Sequence, residues 1–178
     1  MKKFDQFQVG EKAEIKHTIT AEDIRKFVDL TGDDNPLHVD PAYAEKTSFK
    51  GVVAHGMLSA SFISTIIGKH LPGEGALWVS QSLNFLLPVR IGDELSIVAE
   101  IVDKKIKGNR LFLRTEIKNQ HKQIILNGES QVKVLETQEP KTAKEPREDQ
   151  KVVLVTGSSR GIGAATALLL ARQGYKVA

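Results

Sequence analysis

The segment TGDDNPLHVDPAY (31–43) gathers the residues of this chain best suited to acid–base chemistry. Asp33 and His38 stand five positions apart, with Asn35 and Pro36 between them. A carboxylate and an imidazole held together can move protons to and from a reacting group. The same residues are also good turn formers, because Asp and Asn bond their own backbone and Pro fixes φ. Taken alone, the segment reads either as a polar turn or as an acid–base centre. Asp34 reads as a solvated or loop-bonding residue.

Neighbouring elements must position that segment. AEIKHTIT (13–20) alternates like a strand. Thr20 then caps a helix, AEDIRKFVDLTG, with Asp23 three positions on as in a capping box. Ile24, Phe27, Val28 and Leu30 give that helix an apolar side. Asp40-Pro41 reads as a cap followed by proline at the first helical position, opening a short helix, PAYAEKT. GVVAHGMLSASFISTIIGKHL (51–71) carries no charge before Lys69. A helix apolar on nearly every side is expected to be buried on every side. Twenty such residues make a rod of about 30 Å.

The segments C-terminal to this rod should wrap it. Val79, Leu83, Phe85 and Leu87 are expected to share one face of a strand over 77–87, opposite Ser80, Ser82 and Asn84. Leu95, Ile97, Ala99 and Ile101 alternate next. Leu111, Leu113, Thr115 and Ile117 then oppose Phe112, Arg114, Glu116 and Lys118, and Ile124, Leu126, Val132 and Val134 come last. Gly108-Asn109 and NQHK (119–122) mark hairpins. Half-buried strands joined by tight turns make an antiparallel sheet. A sheet around one buried helix is an α+β layer pair.

Composition narrows the functional classes. The 178 residues, 40% hydrophobic and 26% charged, suit one domain, or one domain with a piece of another. The chain has no Cys, which excludes disulfides, thiol nucleophiles and thiolate metal sites. A reducing cytoplasm is the expected location. MKKFDQFQVGEK has no apolar run behind its basic residues, so no secretory signal is expected. No apolar stretch approaches the roughly 20 residues of a membrane span. The net charge of +3 is mild, compatible with a phosphate-bearing ligand and no argument for nucleic acid. No HExxH and no i,i+4 His pair occurs, and the five dispersed histidines are not expected to form a metal-ligand set. His70 and His121 are expected at the surface. No GxSxG elbow supports a serine hydrolase.

Together, the Asp33, Asn35, Pro36, Leu37, His38 block, the His55-Gly56-Met57 turn and SQSLNFLLPVRIGDEL resemble the MaoC-like (R)-specific enoyl-CoA hydratases. The resemblance covers about three quarters of the chain, through residue 136. It implies a hot-dog fold, with a sheet wrapped around a long central helix. It implies that Asp33 and His38 are the catalytic pair, and that the Gly56 N–H binds the thioester oxygen of the substrate. A helix N-terminus suits that oxygen as charge builds on it, and glycine allows close approach. Asn35 would support the loop or the water, and His55 would be a structural hydrogen-bonder. The implied reaction is reversible hydration of a trans-2-enoyl-CoA or enoyl-ACP to the (R)-3-hydroxyacyl thioester, with no cofactor. A homodimer joined through sheet edges is expected. One alternative is a non-catalytic acyl-thioester-binding module. Another is a bifunctional protein whose main activity is reduction.

The last alternative comes from the C-terminal residues. TQEPKTAKEPREDQ (137–150) has linker composition, charged and proline-containing. After it, KVVLVTG reads as an apolar strand and AATALLLARQG as a helix ending at Gly174. VTGSSRGIG resembles the T-G-x-x-x-G-x-G turn of short-chain dehydrogenases/reductases of the 3-oxoacyl-ACP reductase type. Thr156, Gly157, Gly161 and Gly163 carry the pattern, and Arg160 would meet the 2′-phosphate of NADPH. Glycines there let a pyrophosphate reach the helix N-terminus. The expected organisation is a hot-dog domain over 1–136, a linker over 137–150 and an incomplete Rossmann-type βα fragment over 151–178. The strand in that fragment is expected to lack neighbours. The Ser and Tyr-x-x-x-Lys of the reductases are absent, so NADP(H) binding is expected to be negligible.

Overall fold

Alternation of apolar and polar residues over 94–134 builds the sheet. In a computed structural model of the protein, which describes residues 2–136, 152–156 and 161–178, three long strands succeed one another antiparallel. They are β4 (Glu94–Lys105), β5 (Arg110–Lys118) and β6 (Ile124–Val134). Leu95, Ile97, Ala99, Ile101, Leu111, Leu113, Thr115 and Ile117 all point inward and are fully buried, as their period of two requires. In the four-residue loop between β4 and β5, Gly108 and Asn109 take φ of +86° and +49°, left-handed values that glycine and asparagine accept. β1 (Lys12–Thr18) pairs with β4 at one side, and β2 (Ala76–Gln81) pairs with β6 at the other. The order is β1-β4-β5-β6-β2, with the two-residue β3 (Asn84–Phe85) also on β6.

Helix α4 (Gly56–Lys69) lies against this sheet, burying Leu58, Ile63, Ile66 and Ile67. Phe4, Phe7, Ile19 and Leu71 close the ends of the same core. Between β1 and α4 run α1 (Ala21–Thr31), α2 (Pro36–Val39) and α3 (Pro41–Ala44). α1 opens on the expected capping box: the Asp23 N–H donates to Thr20 Oγ1 at 3.1 Å, and the Thr20 N–H to Asp23 Oδ2 at 2.8 Å. It closes on Gly32 in the left-handed region, φ +75°, whose N–H caps Val28 O.

Several expectations are corrected. α4 begins at Gly56 rather than at residue 51, and it is not buried on every side. Met57, Ser61, Ser64, Thr65 and Gly68 are exposed, because the sheet covers one side of the rod and, within the first unit, no layer of described residues covers these positions. The strand expected over 77–87 is broken into β2 and β3. Where the chain crosses β6, Ser82 O would lie 1.9 Å from a Cβ on Gly128, so the backbones approach too closely for a regular ladder. Val79, Phe85 and Leu87 are consequently exposed, while Leu83 packs on the core. A register shift between Ile117 and Lys118 turns Ile125 inward beside Leu126 and leaves Ile124 half-buried. Leu30, at the last turn of α1, is 83% exposed and does not share the buried side of Ile24. α3 stops at Ala44, short of the expected helix.

The chain divides into two units, 1–136 and 137–178. The linker expected over 137–150 lies outside the described residues. In the second unit β7 (Val152–Val153) and β8 (Lys176–Val177) pair in parallel, with α5 (Gly161–Arg172) between them in sequence. The β7 strand therefore does have a neighbour, contrary to expectation. α5 starts earlier than the sequence pattern suggested, and Gly174 turns the chain with φ +87°.

Partial burial pushes the Asp23 carboxyl up, but bonds from His17 and Thr20 outweigh it and hold the group below its ordinary 3.8. A carboxylate lowered on folding stabilises above its unfolded pKa, and that contribution is lost as pH falls through the folded value. Thr20→Ala should cost about 1 kcal/mol in urea unfolding at pH 7. Asp23→Asn should also destabilise at pH 7, with its deficit against the parent shrinking as the pH is lowered to about 3. Equal deficits at both pH values would show that the carboxylate charge contributes nothing.

Candidate active site

The polar segment is shaped by its own side chains. After Gly32, the Asp33 N–H donates to Thr31 Oγ1 at 3.3 Å and the Asn35 N–H to Asp33 Oδ1 at 3.4 Å. Asn35 Oδ1 then accepts the Leu37 N–H at 3.0 Å and caps α2, whose first residue is Pro36. Asn35 therefore supports the loop. One turn of helix carries His38 round until its Nδ1 meets Val53 O at 2.7 Å. A carbonyl can only accept, so Nδ1 carries the proton and, in the neutral ring, Nε2 keeps the lone pair. Asp40 caps α3 through the Ala42 and Tyr43 N–H groups, which sends the chain on toward Val53.

Val53 is held in place from the sheet side. The Ala54 N–H donates to Val89 O at 2.7 Å, and the Arg90 guanidinium binds the carbonyls of Phe49 and Val52. His55, only 2% exposed, is the residue before α4. Its Nε2 donates to Asp33 O at 2.9 Å and stands 3.9 Å from Asp33 Oδ2. Its ring lies 3.8 Å, centroid to centroid, from that of His38 and 4.9 Å from Phe27. Asp33, His38 and His55 thus each bring one ligand-type atom within 4.8 Å of the others. The fold brings together histidines that stand seventeen positions apart in sequence. Each ring has already given one N–H to a carbonyl, so His38 Nε2 and the half-exposed Asp33 carboxylate are the groups left facing a reactant.

Gly56 is the first residue of α4, and no described backbone or side-chain acceptor takes its N–H. A Cβ there would stand 2.9 Å from two ring atoms of Phe85. Gly56 and Phe85 line a cavity of about 410 Å³ together with Ser59, Val53, Leu87 and Ile125. Asp33 and His38 are not on its wall; the link runs through Val53, which lines the cavity and fixes His38. Sequence reasoning did not single out Ser59 or Phe85. For Ser59 the available signal was a polar residue three positions after Gly56 in an apolar helix; for Phe85 there was none, since its ring meets Gly56 only through the fold. His70 and His121 are exposed. Thr156, Gly161 and Gly163 belong to the second unit, whereas Gly157 and Arg160 lie outside the described residues.

Residues 6–123 match the MaoC like domain family. This chain belongs to that family. The chain is 40% identical over 131 residues to an (R)-specific enoyl-CoA hydratase of Rhodospirillum rubrum, covering 74% of this chain and 90% of the relative. It is 39% identical over 127 residues to one of Aeromonas caviae, covering 71% and 95%. The solved structure of the (R)-hydratase from A. caviae superposes with a TM-score of 0.71 at 38% identity, over 73% of this chain and 98% of that one. An R-hydratase from Pseudomonas aeruginosa gives 0.70 at 37% identity, over 76% and 91%. The sheet and α4 of this MaoC-like chain therefore form a hot-dog fold.

Gly56→Ala should force the exposed Phe85 ring aside, at a net cost below about 1 kcal/mol because the ring can move toward solvent and alanine favours the helix. Phe85→Leu in the same chain should recover much of that loss, giving a coupling above about 0.5 kcal/mol in a double-mutant cycle. Additive effects would mean the ring does not sit on Gly56.

Proposed function

We propose that this chain is an (R)-specific enoyl-CoA hydratase, adding water reversibly across the double bond of a trans-2-enoyl thioester. The observation that carries the reading is the convergence of the Asp33 carboxylate and the His38 imidazole, with Nε2 left as the free nitrogen, beside the open N-terminus of α4. The names of relatives near 40% identity point the same way.

In this reading a water sits between Asp33 and His38 Nε2. One of the two takes a proton as the water oxygen bonds to C3. The π electrons move toward the carbonyl, and charge gathers on the thioester oxygen as an enolate. The Gly56 N–H and the positive end of the α4 dipole meet that charge. The conjugate acid of the pair then returns a proton to C2, so that H and OH add to one face. His38 can serve because its Nδ1–H is fixed to Val53 O, which holds the ring orientation through both proton transfers. No cofactor takes part. The carrier is CoA or acyl carrier protein.

The protein works as a homodimer in this proposal. Among the described residues β2 ends the sheet with an unpaired edge, and Met57, Trp78, Val79, Phe85 and Leu86 stay exposed around it and α4. A second copy covering this region would complete the layer that α4 lacks. The working compartment is a reducing cytoplasm. Residues 152–178 resemble the opening of a short-chain reductase, with strand, helix and strand in the parallel order of a dinucleotide-binding unit. Titration of the full chain with NADPH should give no saturation at micromolar concentration; saturation there would refute the view that this segment lacks a working cofactor site.

Hydration of crotonyl-CoA, monitored as loss of its enoyl absorbance, tests the main proposal. The parent should turn over, while Asp33→Asn and His38→Ala should each lose about 10²–10⁴-fold in kcat with the fold intact. Near-parental rates in both variants would refute the assignment.

A further inference from the structure

The chain takes an abrupt path just before Val53. Lys50 and Gly51 have φ of +54° and +144°, two successive residues in the left-handed region that favours glycine. They lie between α3 and α4, outside any helix or strand, so no ladder of their own secures this turn. One side chain bridges it. The exposed Arg90 guanidinium donates from Nη1 to Val52 O at 3.4 Å and from Nη2 to Phe49 O. Those carbonyls stand on either side of the left-handed pair, so the bridge closes the turn. The guanidinium also lies close over Gly51, where a Cβ would stand 3.1 Å from Nη1.

What the turn delivers is Val53. The Val53 N–H donates to Leu37 O at 3.4 Å, and Val53 O accepts from His38 Nδ1 at 2.7 Å, so α2 is pinned to Val53 through two consecutive residues. On the sheet side, the Ala54 N–H donates to Val89 O at 2.7 Å. Val89 through its main chain and Arg90 through its side chain therefore hold the same segment. Arg90 is anchored in turn: its N–H donates to Asp93 Oδ2 at 2.8 Å, and Asp93 Oδ1 accepts from Gln120 Nε2 at 2.9 Å. A guanidinium suits the task, since its planar fork meets two acceptors at a fixed spacing. An ammonium is a single point on a flexible stem.

We infer that Arg90 is a positioning residue for the hydration: by closing the turn at Lys50-Gly51 it holds Val53 O where that carbonyl keeps the His38 proton on Nδ1 and leaves Nε2 free. The inference rests on the hydratase reading and adds to it a residue that touches no reacting atom. Which nitrogen of a neutral imidazole carries the proton is set by the hydrogen bond that the other makes. Once the carbonyl drifts, the ring can turn or carry its proton on Nε2. An Nε2–H cannot accept a proton from water. Such a ring stalls the chemical step after the acyl group has bound, so the loss belongs in kcat more than in KM.

The experiment compares the full-length parent with Arg90→Met and Arg90→Lys in crotonyl-CoA hydration. It also follows the ring nitrogens of His38 by proton–nitrogen NMR at mildly alkaline pH without substrate, the His38 signals being those that His38→Ala lacks. The parent should carry the His38 proton on Nδ1. Arg90→Met should show a share of the Nε2–H ring. Its kcat should fall by about 5- to 50-fold with little change in KM, inside the roughly 10²-fold that a misplacement on the order of 1 Å can cost. Arg90→Lys reaches one carbonyl but not both, and should lie between the two in rate and in tautomer. A kcat within about twofold of the parent in Arg90→Met, or in Arg90→Lys where Arg90→Met does not fold, overturns the inference. So does a loss of kcat with the proton still wholly on Nδ1. A raised KM with kcat kept also overturns it, marking a guanidinium that binds the phosphates of the carrier instead. If the parent itself fails to hydrate crotonyl-CoA or longer enoyl-CoAs, it is the hydratase reading that fails, and the NMR comparison still decides whether Arg90 holds His38.

Discussion

One buried imidazole ties the polar loop to the start of the central helix. His55 Nε2 donates to the main-chain oxygen of Asp33, and the His55 ring packs against that of His38. The bond joins residues far apart in sequence, and both ends are located by other parts of the chain. α4 is fixed by the apolar contacts of Leu58, Ile63, Ile66 and Ile67 with the sheet, while Asp33 is delivered by the left-handed end of α1 at Gly32. Core packing thus sets the separation between the helix N-terminus and the acid–base pair. Protein interiors resist small displacements, so a change in the fit of α4 against β4 would be felt at Asp33 through this contact. The geometry of the pair is a property of the core as much as of the loop.

Burial also explains the division of labour between the two histidines. His55 is sealed, and its bond to Asp33 O requires the proton on Nε2, with the Asp33 carboxylate 3.9 Å from the same nitrogen. His38 is half-buried, keeps Nε2 clear and has a carboxylate nearby. Side chains of one type, with ring centroids 3.8 Å apart, are sorted by environment into a buried brace and a half-buried group with one nitrogen clear.

Much of this was legible in the residues. The period of two over Leu95–Ile101 and Leu111–Ile117, the capping box at Thr20 and the cap at Asp40 all obey local rules, and the structure keeps to them. The misreadings share one cause. Val79, Phe85 and Leu87 look like a buried face, and α4 looks buried all round, because sequence records apolarity without saying whose surface covers it. Leu30 is the small version of the same error. The break between β2 and β3 depends on Ser82 crossing Gly128, a contact between residues forty-six positions apart that no local pattern signals. Asp33 and His38 could be picked out because they sit in one short block; His55, from another element, was given its bracing role only by the family resemblance, and its partner Asp33 O only by the fold.

The cavity shows where that kind of legibility must end. Its reactive environment is set largely by backbone atoms: Val53 O orients His38, Asp33 O holds His55, and the carbonyls of Phe49 and Val52 are strapped by Arg90. Main-chain groups place few demands on residue type, so Val53 or Phe49 carries no signature of its role beyond being apolar. What such positions must preserve is the path of the chain, and that path is secured elsewhere, by the Ala54–Val89 bond and by the Asp40 cap. In the proposed reading, these main-chain contacts fix the Asp33–His38 pair, while the apolar wall of Phe85, Leu87 and Ile125 belongs to the neighbouring cavity. Side-chain volume in that wall can therefore change without disturbing the frame that holds the pair.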